Sequence, residues 1–158
     1  MFNLTHKTFY LFIFLISFFT ILSALYIEYI LFIPACKLCL YQRIPYLISL
    51  AICFFGYFFN YSNVWLYLLV VTFLSSMGIS GYHVGIEKGI FMEFSGCTNE
   101  NLGTIDKNEL LKSLNSFLPS CKDAIFKIFG LSLATINFIF SFALALIIAS
   151  YLRYEKNR

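Results

Sequence analysis

Four apolar stretches, each long enough to cross a lipid bilayer, constrain this chain more than any other feature of its sequence. They run from about Phe9 to Ile33, Leu40 to Phe59, Val64 to Val84 and Phe129 to Leu152. A membrane helix rises about 1.5 Å per residue and needs roughly 20 mostly apolar residues to cross about 30 Å of hydrocarbon. The first stretch carries Glu28 as its only charge, and the second is long enough if Arg43 extends its head toward the interface. The predicted fold is therefore all-α: a four-transmembrane-helix bundle forming one membrane domain over residues 1–158. The first stretch is longer than the apolar core of a signal peptide and three more follow, so it reads as a retained helix.

Composition agrees. The chain is 60% hydrophobic and 12% charged, where soluble domains sit near about 45–50% and about a quarter. A net charge of +3 with no basic run excludes nucleic acid as a partner and leaves the bilayer as the medium. Lys7 precedes the first helix, and Arg153, Lys156 and Arg158 follow the last, whereas the turn from Asn60 to Asn63 is uncharged. The positive-inside bias then places both termini in the cytoplasm, although Lys37 and Arg43 on the other side count against it. Two loops face outward, about 34–39 and 85–127. In the longer one, Leu110, Leu111, Leu114, Phe117 and Leu118 recur at helical spacing after Asp106 and Glu109, predicting a short surface helix.

The cysteines partition with these loops. Of five, Cys36 and Cys39 fall in the first loop, Cys97 and Cys121 in the second, and Cys53 alone in the second helix. Cys36-Lys37-Leu38-Cys39 has the spacing that closes a small, reducible ring. Thiol exchange needs a thiolate, which cations and helix N-termini favour. With Arg43 four residues on and a helix start nearby, the sequence favours Cys39 as the thiolate. A zinc site would want a second paired motif, which Cys97 and Cys121 do not supply, so no metal is expected. Purely structural disulfides in an oxidising compartment are the plainer alternative. Cys53, between Ile52 and Phe54, reads as a small buried hydrophobe. His83 and Glu87 stand at i and i+4 at the outward end of the third helix, where a histidine can relay protons or simply pair with the carboxylate. Gly81, Gly85 and Gly89 repeat beside them, permitting close approach of a helix or a flat ring. Glu28 is ionisable within a span and raises a functional question by default.

The run Cys36-Lys37-Leu38-Cys39-Leu40-Tyr41-Gln42-Arg43 resembles the signature of the bacterial disulfide bond formation protein B (DsbB) family. The four helices, the outward cysteine pairs and Phe129-Gly130-Leu131-Ser132 before the last helix are similar too. That resemblance implies a quinone-dependent thiol oxidase of the bacterial inner membrane, with its active cysteines on the periplasmic face. It would reoxidise a DsbA-like periplasmic thiol oxidase and pass the electrons to ubiquinone or menaquinone. By position, it implies that Cys97 forms the mixed disulfide with the partner and that Cys121 is its loop mate. Cys36 would accept exchange from Cys121, Cys39 would face the quinone, and Arg43 and His83 would stand near its ring. Two other readings fit the spans: a vitamin K epoxide reductase-like enzyme, and a scaffold or transport subunit with structural disulfides. The first usually carries its C-x-x-C near the last helix; the second leaves Arg43 beside the cysteine pair unexplained.

Overall fold

In a computed structural model, the chain is described over residues 6–59, 63–92, 120–122, 127–128 and 130–157. Four helices long and apolar enough to span a membrane make up these residues almost entirely: α1 (His6–Tyr29), α2 (Lys37–Phe58), α3 (Val64–Glu87) and α4 (Leu133–Lys156). Two short strands, β1 (Lys127–Ile128) and β2 (Leu131–Ser132), pair antiparallel just before α4. Gly130, at φ +80°, supplies the left-handed backbone their turn needs. The predicted surface helix and Cys97 lie outside the described residues.

Helix ends differ from the apolarity limits for identifiable reasons. Phe32 leaves the helical region at φ +53° and Pro34 biases its predecessor toward extended backbone, so α1 ends at Tyr29 rather than near Ile33. The α2 helix starts at Lys37, before the expected Leu40, because the Cys36 sulfur caps it. Cys39 is thus in the first turn of a helix, not in the loop assigned to it from the sequence. At α3, backbone bonding continues past Val84 to Glu87 and stops where Gly89 turns to φ +71°. Residues 130–132, expected to open the last helix, belong instead to the strand pair, and α4 begins after Ser132, whose hydroxyl accepts from Thr135 N–H at 3.2 Å.

The helices pack in sequence order, α1 on α2, α2 on α3 and α3 on α4. Lipid is as apolar as leucine, so close packing and polar contacts hold membrane helices together rather than water exclusion. Ser17, Ser49, Ser76, Ser80 and Ser141 are fully buried, and their small side chains let the backbones approach. Ser49 donates to Ser17 at 2.7 Å, and Ser76 and Ser141 share a bond at 2.9 Å. Around them Ile13, Leu66, Leu69, Phe73 and Ile148 form the core, while Phe12, Phe18, Phe19, Leu47 and Val71 face outward, as lipid contact requires.

Cys53 is 1% exposed within this core, in keeping with the sequence reading. Cys53→Ala is expected to cost only about 1 kcal/mol of stability in graded SDS unfolding. A loss of several kcal/mol would overturn this reading of a small buried hydrophobe.

At the terminal end of the bundle α1 and α4 meet: Phe9 stacks on Tyr151 at 4.0 Å, and His6 Nε2 lies 2.9 Å from the Glu155 carboxylate. Toward the other end a cavity of about 400 Å³ is lined by both helices. The start of α1 and the end of α4 therefore sit at one end and the cysteine pair at the other.

Candidate functional site

The site is built around the start of α2. Cys36 has an extended backbone, φ −70° and ψ 165°, and its sulfur accepts the Cys39 N–H at 3.3 Å. This geometry makes Cys36 the N-cap, where the unsatisfied amides and the positive end of the helix dipole converge. The C-x-x-C spacing then brings Cys39 one turn up on the same face, with the two sulfurs 2.9 Å apart and both thiols free. The Cys39 thiol beside it holds the Cys36 thiol well below its ordinary range; burial opposes this and His83 reinforces it. The sequence favours Cys39 as the thiolate; because the helix begins three residues earlier than its apolar run, the cap position and the amide that points into it fall to Cys36.

Arg43 forms an ion pair with Glu28 across α1 and α2. Each is mostly buried, so the pair answers the question raised by an acid within the first span: Glu28 compensates a guanidinium that faces the same cavity. A guanidinium carries five donors, and the contact recorded with Glu28 engages one nitrogen of Arg43.

His83 is 3% exposed and lies between the thiols and a chain of polar groups. Its Nε2 is 3.7 Å from the Cys36 sulfur, and its Nδ1 is 3.0 Å from Gln42 Nε2. Glu87, the partner expected from the i, i+4 spacing, is more distant at 3.9 Å and accepts a bond from Ser132. The glycine repeat has a local use. A side chain at Gly85 would meet the Phe91 ring at 2.2 Å, so the flat ring it accommodates is the chain's own. Gly81 faces Phe138 of α4.

Cys121 is disulfide-bonded and 1% exposed, and it packs with Cys36, Leu38 and Ile86 in a small cluster at this end of the bundle. Sequence reasoning passed over Gln42, Tyr46 and Asn137, although polar side chains inside apolar spans were a usable signal. Among the described residues, no buried side-chain nitrogen or oxygen lacks a partner.

The cavity takes in Cys36, Cys39, Arg43, His83 and Asn137, with Ile27, Ala134 and Phe140 among its apolar walls. A mostly apolar slot of this volume with a few convergent polar groups is what a small flat ligand needs. Cysteine pairs and imidazole also ligate metals, and the three groups lie within 4.8 Å of one another. Gln42, however, offers an N–H to Nδ1, which leaves the ring proton on Nε2, so an N–H rather than a lone pair meets the sulfurs.

A four-helix membrane bundle with a free thiol pair and a disulfide-bonded cysteine at one end defines a class, the membrane thiol–disulfide exchange proteins. The comparison with known families is more specific. The family model for disulfide bond formation protein DsbB matches residues 6–151. A relative from Rickettsia prowazekii (strain Madrid E), an uncharacterized protein, is 30% identical over 143 residues, covering 86% of this chain and 82% of its own length. The chain belongs to the DsbB family. It is accordingly a multi-pass inner-membrane disulfide oxidoreductase that serves disulfide bond formation. Family membership decides against the epoxide reductase-like and scaffold readings.

Proposed function

We propose that this protein reoxidises a DsbA-like periplasmic thiol oxidase and delivers the electrons to a membrane quinone, ubiquinone or menaquinone. The observation that carries this reading is the placement of the free Cys36–Cys39 pair in the wall of a cavity that also takes in Arg43 and His83. The DsbA–DsbB–quinone relay is the established route by which the bacterial periplasm is kept oxidising. Bound in the cavity, a quinone supplies a two-electron acceptor; the protein supplies binding and orientation.

The proposed relay begins at Cys97, which forms the mixed disulfide with the partner. Cys121 is released as a thiolate and attacks Cys36, with which it shares a buried cluster. The Cys36–Cys39 bond breaks, and Cys39 departs as a thiolate. While Cys36 is bound to Cys121 it no longer competes for the negative charge, so that charge rests on Cys39, one turn from Arg43. The partner's second thiol would resolve the mixed disulfide and free Cys97 as a thiolate, which attacks Cys121, re-forms the loop disulfide and releases Cys36. Loss of two electrons and the accompanying protons from the Cys36–Cys39 dithiol to the quinone would then close that bond again. Arg43 and His83 would hold the ring beside Cys39. In this orientation both termini are cytoplasmic and the cysteines periplasmic.

The test is to mix detergent-solubilised protein containing ubiquinone with a reduced DsbA-type oxidase and follow quinone absorbance. Partner-dependent loss of the quinone band is expected. Its absence with folded protein would defeat the quinone reading. Arg43→Met should raise the KM for quinone on the order of tenfold or more, because a cation that polarises the ring is lost. Unchanged quinone dependence would remove Arg43 from the site.

A further inference from the structure

The His83 ring is gripped from behind by a continuous series of hydrogen bonds whose donors all point the same way. Tyr46 donates its hydroxyl proton to Asn137 Oδ1 at 2.6 Å. Asn137 Nδ2 donates to Gln42 Oε1 at 3.1 Å. With its oxygen so engaged, Gln42 turns its NH₂ to His83 Nδ1 at 3.0 Å. Behind Tyr46, Ser141 lies 3.1 Å from the hydroxyl and Ser76 lies 2.9 Å from Ser141. Tyr46 has a single proton and spends it on Asn137, so Ser141 is left to donate to Tyr46, and Ser76 to Ser141. The series crosses α2, α3 and α4, and Gln42, Ser76, His83 and Ser141 are all buried. An amide nitrogen cannot accept, so Nδ1 is the acceptor and the neutral ring carries its proton on Nε2, the atom facing the Cys36 sulfur at 3.7 Å.

We propose that Gln42 and Asn137 are positioning residues that lock His83 as the Nε2–H tautomer, so that it donates to Cys36 and makes the Cys36–Cys39 couple more oxidising. Reducing the Cys36–Cys39 disulfide breaks one S–S bond and takes up two electrons. With Cys36 left as a thiolate it takes up one proton, which sits on the Cys39 sulfur. A donor aimed at the Cys36 sulfur stabilises that reduced state and not the disulfide, and stabilising the reduced state raises the potential. A pair that must oxidise a strongly oxidising partner gains from this. That consequence rests on the relay proposed above; the tautomer does not.

Two measurements test the proposal without quinone or partner. In ¹⁵N-histidine-labelled protein with the thiols reduced, the His83 signal, identified by its loss in His83→Gln, should show Nε2 protonated and Nδ1 bare. A proton on a neutral ring's Nδ1 would overturn the proposal. Second, quinone-free protein is equilibrated in glutathione buffers, and trapped peptides report Cys36–Cys39 separately from Cys121. Gln42→Leu should shift this equilibrium about tenfold toward the disulfide, about 30 mV. Asn137→Leu, acting one bond further away, should shift it the same way by about threefold. Gln42→Glu, whose carboxylate accepts where the amide donates, should put a proton on Nδ1 in the ¹⁵N signal, a response that a packing role would not produce. An unchanged equilibrium in Gln42→Leu, or a bare Nδ1 in Gln42→Glu, would overturn the proposal. A protein with the expected tautomer and potential shifts that nonetheless fails to reduce quinone would sink the relay alone.

Discussion

Cys39→Ala is expected to lower quinone-coupled oxidation of the reduced partner by on the order of 10³-fold or more, the scale of losing a reacting nucleophile. Without the second sulfur the ring at the start of α2 cannot close, so the site has no two-electron couple to offer. Cys36 keeps its cap position and its neighbour Cys121. In the variant the Cys36 thiolate can attack the loop disulfide at Cys121, displace Cys97 as a thiolate and go no further, so non-reducing peptide maps should show a Cys36–Cys121 bond accumulating. Cys36→Ala should lose turnover equally but trap nothing at Cys121, because the acceptor sulfur is gone. Normal turnover in Cys39→Ala would remove that residue from the relay. Accumulation of a Cys39–Cys121 bond in Cys36→Ala would reverse the order of the two sulfurs.

The largest effect on stability is expected at Phe73→Ala, about 2–4 kcal/mol. Phe73 is fully buried and meets the Tyr46 ring edge to face, with centroids 5.8 Å apart and an interplanar angle of 74°. In lipid the lost transfer energy is small, but the cavity and the missing ring contacts remain. Phe19, 58% exposed on the lipid side, is the control, and Phe19→Ala should stay within about 0.5 kcal/mol. Graded SDS unfolding of both variants checks the difference. Equal losses would mean that the buried ring is not what joins α2 to α3. Tyr46 also anchors the hydrogen-bond series behind His83, so loosening Phe73 should weaken the hold on that ring before the helices separate.

The helix count and the division of the cysteines were legible in the sequence because both are one-dimensional properties. A run of apolar residues fixes a span by its length, and a residue near the end of a run must emerge near the membrane surface. Cap positions are finer. Apolarity placed the start of α2 at about Leu40, whereas backbone bonding begins at Lys37, and that shift gives the cap position to Cys36. A hydropathy pattern responds to side chains and not to which amides find acceptors, so it cannot resolve a helix start to one turn.

The amino-acid sequence by itself determined the four spans, the placement of Cys36, Cys39 and Cys121 near the ends of those spans, the burial of Cys53 and a resemblance that membership in the DsbB family bears out. Which polar groups meet inside the membrane was decided only by tertiary structure. Arg43 finds Glu28 on the preceding helix, Cys36 finds His83 across 47 residues, and Gln42 finds Asn137 across 95. Each helix can present any face to its neighbours as far as its composition goes. The rotation is chosen by close packing at buried serines and by the cost of leaving a polar group unpaired in hydrocarbon. Those terms act between helices, and they exist only once the helices are side by side.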